Sequence, residues 1–161
     1  MNIYEFAMEM EKDGEKYYRE LAQKTNDPGM RSILQMLADD EVKHYNAIQE
    51  MMQGQDTGFA DTEILKNSKN VFAQMEAADA NITLDSNQVD LYREARDIEQ
   101  KSVDYYLEKS EKADQESHRT LFARLANEEK KHYRLLDNII ELLMRPQEWI
   151  ENAEFNHLEE Y

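Results

Sequence analysis

The sequence predicts an all-α protein that folds as a four-helix bundle, and three observations support this. The 161 residues include only four Gly and two Pro. Apolar side chains recur at three- and four-residue spacing, which is typical of amphipathic helices. Two stretches are also repeated 88 positions later: EKDGEKYY recurs as EQKSVDYY, and LADDEVKHY recurs as LANEEKKHY. We therefore expect two duplicated helical hairpins packed against each other.

The first hairpin is expected over about residues 2–52. Its first helix runs from about Asn2 to Lys24. A polar stop follows, in which Asn26 or Asp27 can cap the next helix and Pro28 suits the first helical position. The second helix then continues to the end of the repeat.

A long crossover, residues 53–86, joins the two hairpins. Five apolar residues predict a short helix within it that crosses the bundle: Ile64, Leu65, Val71, Phe72 and Met75. Short links within each hairpin and a long link between them favour up-down-down-up topology.

The second hairpin is expected over about residues 87–145. Asp85 or Ser86 restarts a helix that runs to about Lys112, a polar turn covers residues 113–116, and the last long helix ends before Pro146. The tail, residues 146–161, has apolar residues at helical spacing and is expected to form a short C-terminal helix. We expect residues 1–161 to be a single domain.

The composition narrows the functional class. These 161 residues contain no Cys, which excludes disulfides and thiolate metal sites within them. The 35 acidic and 19 basic residues give a net charge of −16, which would repel nucleic acid and anionic membranes. No apolar run is as long as a membrane span, and the amino terminus does not resemble a signal peptide. We expect a cytoplasmic protein with no nucleic-acid or membrane partner.

Each repeat carries one solitary glutamate and one Glu-x-x-His motif, and these are the candidate metal ligands. Residues equidistant from the turn of an antiparallel hairpin lie at the same height, so Glu11 pairs with Glu41 and Glu99 pairs with Glu129. Each also lies on the apolar stripe of its helix, and a Glu and a His three residues apart share one helix face. All six candidates should therefore meet in one layer: Glu11, Glu41, His44, Glu99, Glu129 and His132.

These residue types suit a pair of metal ions. Carboxylates can bridge two cations, imidazole suits iron, manganese or zinc, and buried carboxylates require a counter-ion. Two divalent cations would balance four carboxylates. Taken singly, Glu11 or Glu99 would be a surface charge and one Glu-x-x-His would mean little, but the repeated set favours a two-metal site. Two iron ions, a Mn/Fe pair or Zn would all be compatible.

Neighbouring side chains are candidates to support the ligands. Asp40 is placed to accept from the ring N–H of His132, and Glu128 from that of His44, unless both are surface acids. Tyr18 and Tyr106 are placed to hydrogen-bond the ligand carboxylates, or to pack in the core, or both.

The residues Glu11…Tyr17-Tyr18, Glu41-x-x-His44, Glu99…Tyr105-Tyr106 and Glu129-x-x-His132 resemble the rubrerythrin branch of the ferritin-like superfamily, over nearly the whole chain. The resemblance implies a ferritin-like four-helix bundle with a di-iron centre. It implies that Glu41 and Glu129 are shared by two irons, that Glu11 and Glu99 cap either end, and that each iron has one histidine. It also implies a catalytic role for the four glutamates through the metals, supported by Tyr18 and Tyr106, and a homodimer.

Two departures from the family pattern are visible. Rubrerythrins carry a Cys-rich rubredoxin domain that supplies electrons, whereas this chain has no Cys and would need an external donor protein such as a rubredoxin. Rubrerythrins also place a further glutamate one turn after the third-helix ligand, and it exchanges with a histidine as the iron changes redox state. Here that position is Ser102, and its repeat partner is Gly14; Glu15 is an additional nearby carboxylate.

Three functions remain open from the sequence. The first is a non-haem di-iron oxidoreductase that reduces hydrogen peroxide or dioxygen in response to oxidative stress. The second is a ferroxidase or iron-handling protein, for which Fe²⁺ is a substrate. The third is a non-catalytic metal-binding module that docks a partner through its carboxyl-terminal tail.

Overall fold

The computed structural model describes residues 1–55, 59–77 and 86–145. Every regular element in these ranges is helical, which confirms the all-α prediction. Four long helices and one shorter helix follow in chain order: α1 Ile3–Lys24, α2 Pro28–Met52, α3 Ile64–Ala77, α4 Val89–Lys112 and α5 Glu116–Met144. α3 is the helix predicted within the crossover.

The helix ends follow from local chemistry. Asn2 caps α1 by accepting from the backbone N–H of Glu5 at 2.8 Å, and Asp27 caps α2 by accepting from that of Met30 at 2.9 Å. Pro28 occupies the first turn of α2, where its missing N–H has no helical partner to lose. A 3-10 turn over Ser86–Gln88 precedes α4, so this helix starts slightly later than the predicted restart.

Contacts across the bundle define its topology. The Tyr17 hydroxyl donates to the carbonyl of Leu91 at 2.6 Å, and the Tyr105 hydroxyl donates to that of Ile3 at 2.8 Å, so α1 and α4 are antiparallel. α1 is also antiparallel to α2, its partner in the first hairpin, so α2 and α4 run in the same direction. This is the up-down-down-up arrangement of ferritin-like bundles. α3 packs across α2 and α5.

Two apolar clusters fill the bundle, one on each side of a polar layer. The first contains Leu21, Ile33, Leu37, Tyr92, Leu136 and Ile139, and α3 adds Leu65 and Phe72 to it. The second contains Ala7, Ile48, Tyr106, Leu121, Phe122 and Leu125. The polar layer is thus shielded from water above and below.

The predicted C-terminal helix and Asp85 lie outside the described residues. Of the helices within the described ranges, none has the length and apolar character to cross a membrane.

Candidate metal centre

All six predicted ligands converge in the polar layer and are almost wholly buried. The exposed fraction is 4% for Glu41 and 2% or less for the other five. They form two overlapping groups of four, and in each group one candidate ligand atom from every residue lies within 4.8 Å of the others. The first group is Glu11, Glu41, His44 and Glu129; the second is Glu41, Glu99, Glu129 and His132. Two residues, Glu41 and Glu129, are common to both.

His44 presents one ring nitrogen to the cluster and the other away from it. Its Nδ1 lies 2.9 Å from Glu129 Oε1 and 3.4 Å from Glu11 Oε2. Its Nε2 lies 3.3 Å from Glu128 Oε1 on the opposite side of the ring. A proton on Nε2 would satisfy Glu128 and leave the Nδ1 lone pair facing the carboxylates.

His132 is oriented in the same way. Its Nε2 lies 2.9 Å from Asp40 Oδ2, and its Nδ1 lies 3.1 Å from Glu41 Oε1 and 3.3 Å from Glu99 Oε1. The two imidazole rings are 5.8 Å apart, centroid to centroid. Each imidazole therefore directs Nε2 at a carboxylate from the facing helix and Nδ1 into the cluster, so a neutral ring with its proton on Nε2 would offer Nδ1 as a metal ligand.

Each repeat has a pair of tyrosines with distinct partners. Tyr18 donates its hydroxyl to Glu99 Oε1, and Tyr106 donates its hydroxyl to Glu11 Oε1 at 2.6 Å. The preceding residues, Tyr17 and Tyr105, donate to backbone carbonyls instead, as described above. The second tyrosine of each pair thus fixes the solitary glutamate of the other repeat.

The segment between α2 and α3 contributes residues that the sequence did not single out. We refer to residues 59–63 as the strap. Thr62 lies within it, is 4% exposed, and contacts Asp40 and Glu128, the two carboxylates behind the histidines. Arg124 of α5 donates to the carbonyl of Phe59 and to Asp61 Oδ1 at 3.1 Å, which holds the strap against the bundle. No repeat or local motif marks these contacts.

Gly14 is buried on α1 because the Glu41 carboxylate occupies the space beside it. A Cβ at this position would lie 2.9 Å from Glu41 Oε2 and 3.3 Å from its carboxyl carbon. The absence of a side chain here therefore lets Glu41 reach the layer.

Burial and mutual repulsion shift the pKa values within the cluster. Burial, together with Glu11, Glu129 and Glu99, raises the pKa of Glu41 well above its ordinary value, and burial and Glu129 raise that of Glu99. Burial would raise the pKa of Glu129 as well, but its close contacts with Glu99 and with both histidines lower it well below its ordinary value.

The pKa values of the two histidines are also shifted. Burial alone would lower the pKa of His44, but Glu11, Glu128 and Glu129 raise it well above its ordinary value. Glu99, Asp40 and other carboxylates have the same effect on the pKa of His132. Without cations, the cluster therefore keeps protons that metal ions would displace.

The donor set fits a pair of cations. Within the described part of the chain, several buried atoms of the cluster have no aligned hydrogen-bond partner: Glu11 Oε2, Glu41 Oε1, His44 Nδ1, Glu99 Oε2 and both oxygens of Glu129. Burying such atoms without partners would be costly, and positive charge at their centre would offset that cost.

Other residues noted in the sequence lie outside the cluster. Glu15 forms an ion pair with Arg19 at 3.1 Å, and it is absent from both groups of four. Ser102, at the position of the family's further glutamate, is half-buried and adds no carboxylate. A third histidine, His118, was not among the predicted ligands; its Nδ1 lies 2.5 Å from the Tyr4 hydroxyl.

Comparisons with known proteins agree with this geometry. No curated protein and no solved structure matched the chain. A family model described as Rubrerythrin matches residues 2–140. That range covers both hairpins except the last residues of the second, and it includes all six residues of the buried cluster, whose composition is compatible with a di-iron site. The chain belongs to the rubrerythrin family.

Proposed function

We propose that this protein is a di-iron oxidoreductase that reduces hydrogen peroxide, or dioxygen, with electrons from an external donor. The observation that carries the proposal is that two buried donor groups share Glu41 and Glu129. Shared carboxylates can hold two redox ions side by side, and one electron from each ion would supply the two electrons that reduce peroxide.

The chain divides the binding task among its helices. Glu11 and His44 would hold one ion, Glu99 and His132 would hold the other, and Glu41 and Glu129 would contact both. When bound, a pair of ferrous ions would supply the two electrons that convert hydrogen peroxide and two protons into two water molecules. The donor set contains only carboxylates and imidazoles, which suit iron.

The surrounding residues keep the site dry and its ligands fixed. The two apolar clusters flank the layer, which limits the water that reaches it. The Tyr18 and Tyr106 hydroxyls orient Glu99 and Glu11. The two carboxylates behind the histidines, Glu128 and Asp40, orient the imidazoles; we call them the outer carboxylates. These supports leave the ligand atoms little freedom to turn toward other partners.

Reduction of peroxide would recur only if the irons were reduced again. These 161 residues contain no Cys for a second redox centre, so we propose a separate electron-transfer protein such as a rubredoxin as donor. By resemblance to the family, we also propose a homodimer as the working form.

The proposal is tested by loading the protein with Fe²⁺ without oxygen and mixing it rapidly with peroxide or, separately, with dioxygen. We expect the absorption of ferric iron to develop faster with peroxide, with two Fe²⁺ oxidised for each peroxide consumed. Glu41→Gln should suppress the reaction, whereas Glu15→Gln, a matched change at a half-buried ion pair outside the cluster, should not. A loaded, reduced protein that reacts with neither oxidant would contradict the proposal.

A second candidate function is ferroxidase activity, in which Fe²⁺ is a substrate that enters and leaves. A surface cavity of about 310 Å³ favours it, because four acidic residues line this cavity against one basic residue, Lys43, and one of the acids, Asp40, also contacts His132. Negative charge there would attract cations toward the cluster. This function predicts that each chain oxidises many Fe²⁺ ions; oxidation that stops at two would exclude it.

A further inference from the structure

We propose that Thr62 is a positioning residue that sets the orientation of both metal-binding histidines at once. The inference rests on the metal centre of the proposed function and does not depend on its oxidant. Thr62 lies in the strap, outside the four bundle helices, and its two polar groups point to two different carboxylates.

The side chain of Thr62 acts on one histidine. Its hydroxyl donates to Asp40 Oδ2 at 2.5 Å, and the same oxygen accepts from His132 Nε2 at 2.9 Å. The hydroxyl oxygen in turn accepts from the backbone N–H of Ile64 at 3.1 Å. The hydroxyl hydrogen is therefore directed at Asp40, and Asp40 is fixed facing the imidazole.

The backbone of Thr62 acts on the other histidine. Its N–H donates to Glu128 Oε2 at 2.9 Å, while the second oxygen of that carboxylate, Oε1, lies 3.3 Å from His44 Nε2. One residue thus supports the outer carboxylates of both donor groups. Glu128 is 1% exposed, so solvent cannot easily replace its contact with Thr62; Asp40 is 8% exposed and borders the surface cavity.

The strap is itself held against the bundle helices, so Thr62 has a fixed position from which to orient the two carboxylates. The Arg124 guanidinium lies over the Phe59 ring at 4.3 Å from its centroid, and the Phe59 ring is 5.8 Å from that of His44. Lys43 Nζ donates to the carbonyl of Ala60 at 3.3 Å. The strap is thus fixed to α2 and α5, the helices that carry the histidines.

The effect of the Thr62 hydroxyl on metal binding can be separated from its effect on stability, because the chain offers a matched control. Thr25 is also 4% exposed, and its hydroxyl donates to the carbonyl of Leu21 at 2.8 Å, outside the metal-binding groups. Thr62→Val and Thr25→Val each replace a buried hydroxyl by a methyl group and keep the backbone N–H. Both should lower the thermal unfolding temperature of the metal-free protein.

Only Thr62→Val should weaken metal binding. We expect its Co²⁺ affinity, measured in competition with a chelator, to fall about tenfold, with an altered Co²⁺ absorption spectrum. Thr62→Ser should restore the affinity and spectrum of the parent protein, and Thr25→Val should leave both unchanged. Equal Co²⁺ affinities for Thr62→Val and Thr25→Val would overturn the assignment.

A double-mutant cycle tests the route of the effect. If the hydroxyl acts through Asp40, Thr62→Val should add little to Asp40→Asn. A full, additive loss would contradict this route. A parent protein that binds two cations but reacts with no oxidant would refute the proposed reaction and leave the role of Thr62 standing. One that binds no cation would overturn both.

Discussion

The two tyrosines of each pair have different roles, because their hydroxyl groups donate to different acceptors. Tyr105 and Tyr106 are neighbours on α4, yet the first donates to the backbone of Ile3 and the second donates to Glu11. The first contact joins helices, while the second fixes a buried carboxylate of the polar layer.

Tyr106→Phe is therefore expected to change the metal centre, whereas Tyr105→Phe changes only stability. Each variant loses one hydrogen bond and should reduce the free energy of unfolding by about 1 kcal/mol. Only Tyr106→Phe should shift the absorption spectrum of the Co²⁺-loaded protein, because Glu11 belongs to a donor group. Urea unfolding and Co²⁺ spectra would check both statements; identical spectra for the two variants would contradict the assigned roles.

Gly14→Ala is expected to weaken metal binding without unfolding the protein. The new methyl group would meet Glu41 Oε2 at 2.9 Å and push this shared carboxylate out of place. Alanine favours a helix over glycine by about 1 kcal/mol, which would offset part of the crowding. We expect Co²⁺ affinity to fall by about tenfold or more.

Ser102→Ala, at the repeat-related position on α4, is the control and should bind Co²⁺ normally. If Gly14→Ala also retained the parent affinity, the close approach of Glu41 to α1 would not be required for metal binding.

At the scale of helices, the two hairpins differ in how their second helix begins. Asp27 accepts from the N–H of Met30 and caps α2, whereas Gln115 at the start of α5 makes no side-chain capping bond. Only in the first hairpin does a side chain cap the start of the second helix, as the sequence predicts for Asn26 or Asp27.

Asp27→Ala should therefore lower the free energy of unfolding by about 1 kcal/mol, the usual value of an N-cap. Gln115→Ala should leave it nearly unchanged. Urea unfolding of the metal-free proteins measures this difference; equal losses would mean that the Asp27 bond contributes nothing.

The helices were predictable, whereas the strap was not. Apolar spacing and Pro28 are local signals, and they indicated α1 and α2 nearly to the residue. Thr62 carries no such signal, because its backbone N–H meets Glu128 only after the crossover has brought distant segments together. The space that Gly14 leaves for Glu41 likewise becomes evident only when both helices are placed.

For the whole molecule, the buried layer links folding to pH. The raised pKa values of His44 and His132 mean that the folded, metal-free protein keeps protons that the unfolded chain releases near the ordinary value of 6.5. The raised pKa values of Glu41 and Glu99 act in the same direction. For the histidines this stabilisation is present below about pH 6.5, and for the glutamates it is present below their ordinary value of 4.5; both contributions are lost as pH rises through the raised folded-state values.

The unfolding temperature of the metal-free protein should therefore decrease as pH rises above about 6.5. Bound cations replace these protons, so in the presence of Co²⁺ the decrease should disappear or reverse. Thermal unfolding in chelator and in Co²⁺ across this range tests the prediction. A metal-free protein that becomes more stable with rising pH would contradict it.

The convergence of six ligands was predictable for the whole molecule because it follows from symmetry. Glu11 and Glu41 are equally distant from the first turn, as Glu99 and Glu129 are from the second, and helical pairing alone places them at one height. The contact between Asp40 and His132 depends in addition on how α2 packs against α5, and that packing is seen only in the structure.

The sharing of Glu41 and Glu129 has a consequence for how the cluster assembles. Each donor group takes three residues from one repeat and the fourth from the other, so neither repeat can complete a group by itself. Two separate half-length polypeptides would have to associate before either group was complete, and that association would depend on their concentration. In the single chain, folding alone brings the fourth residue of each group into place.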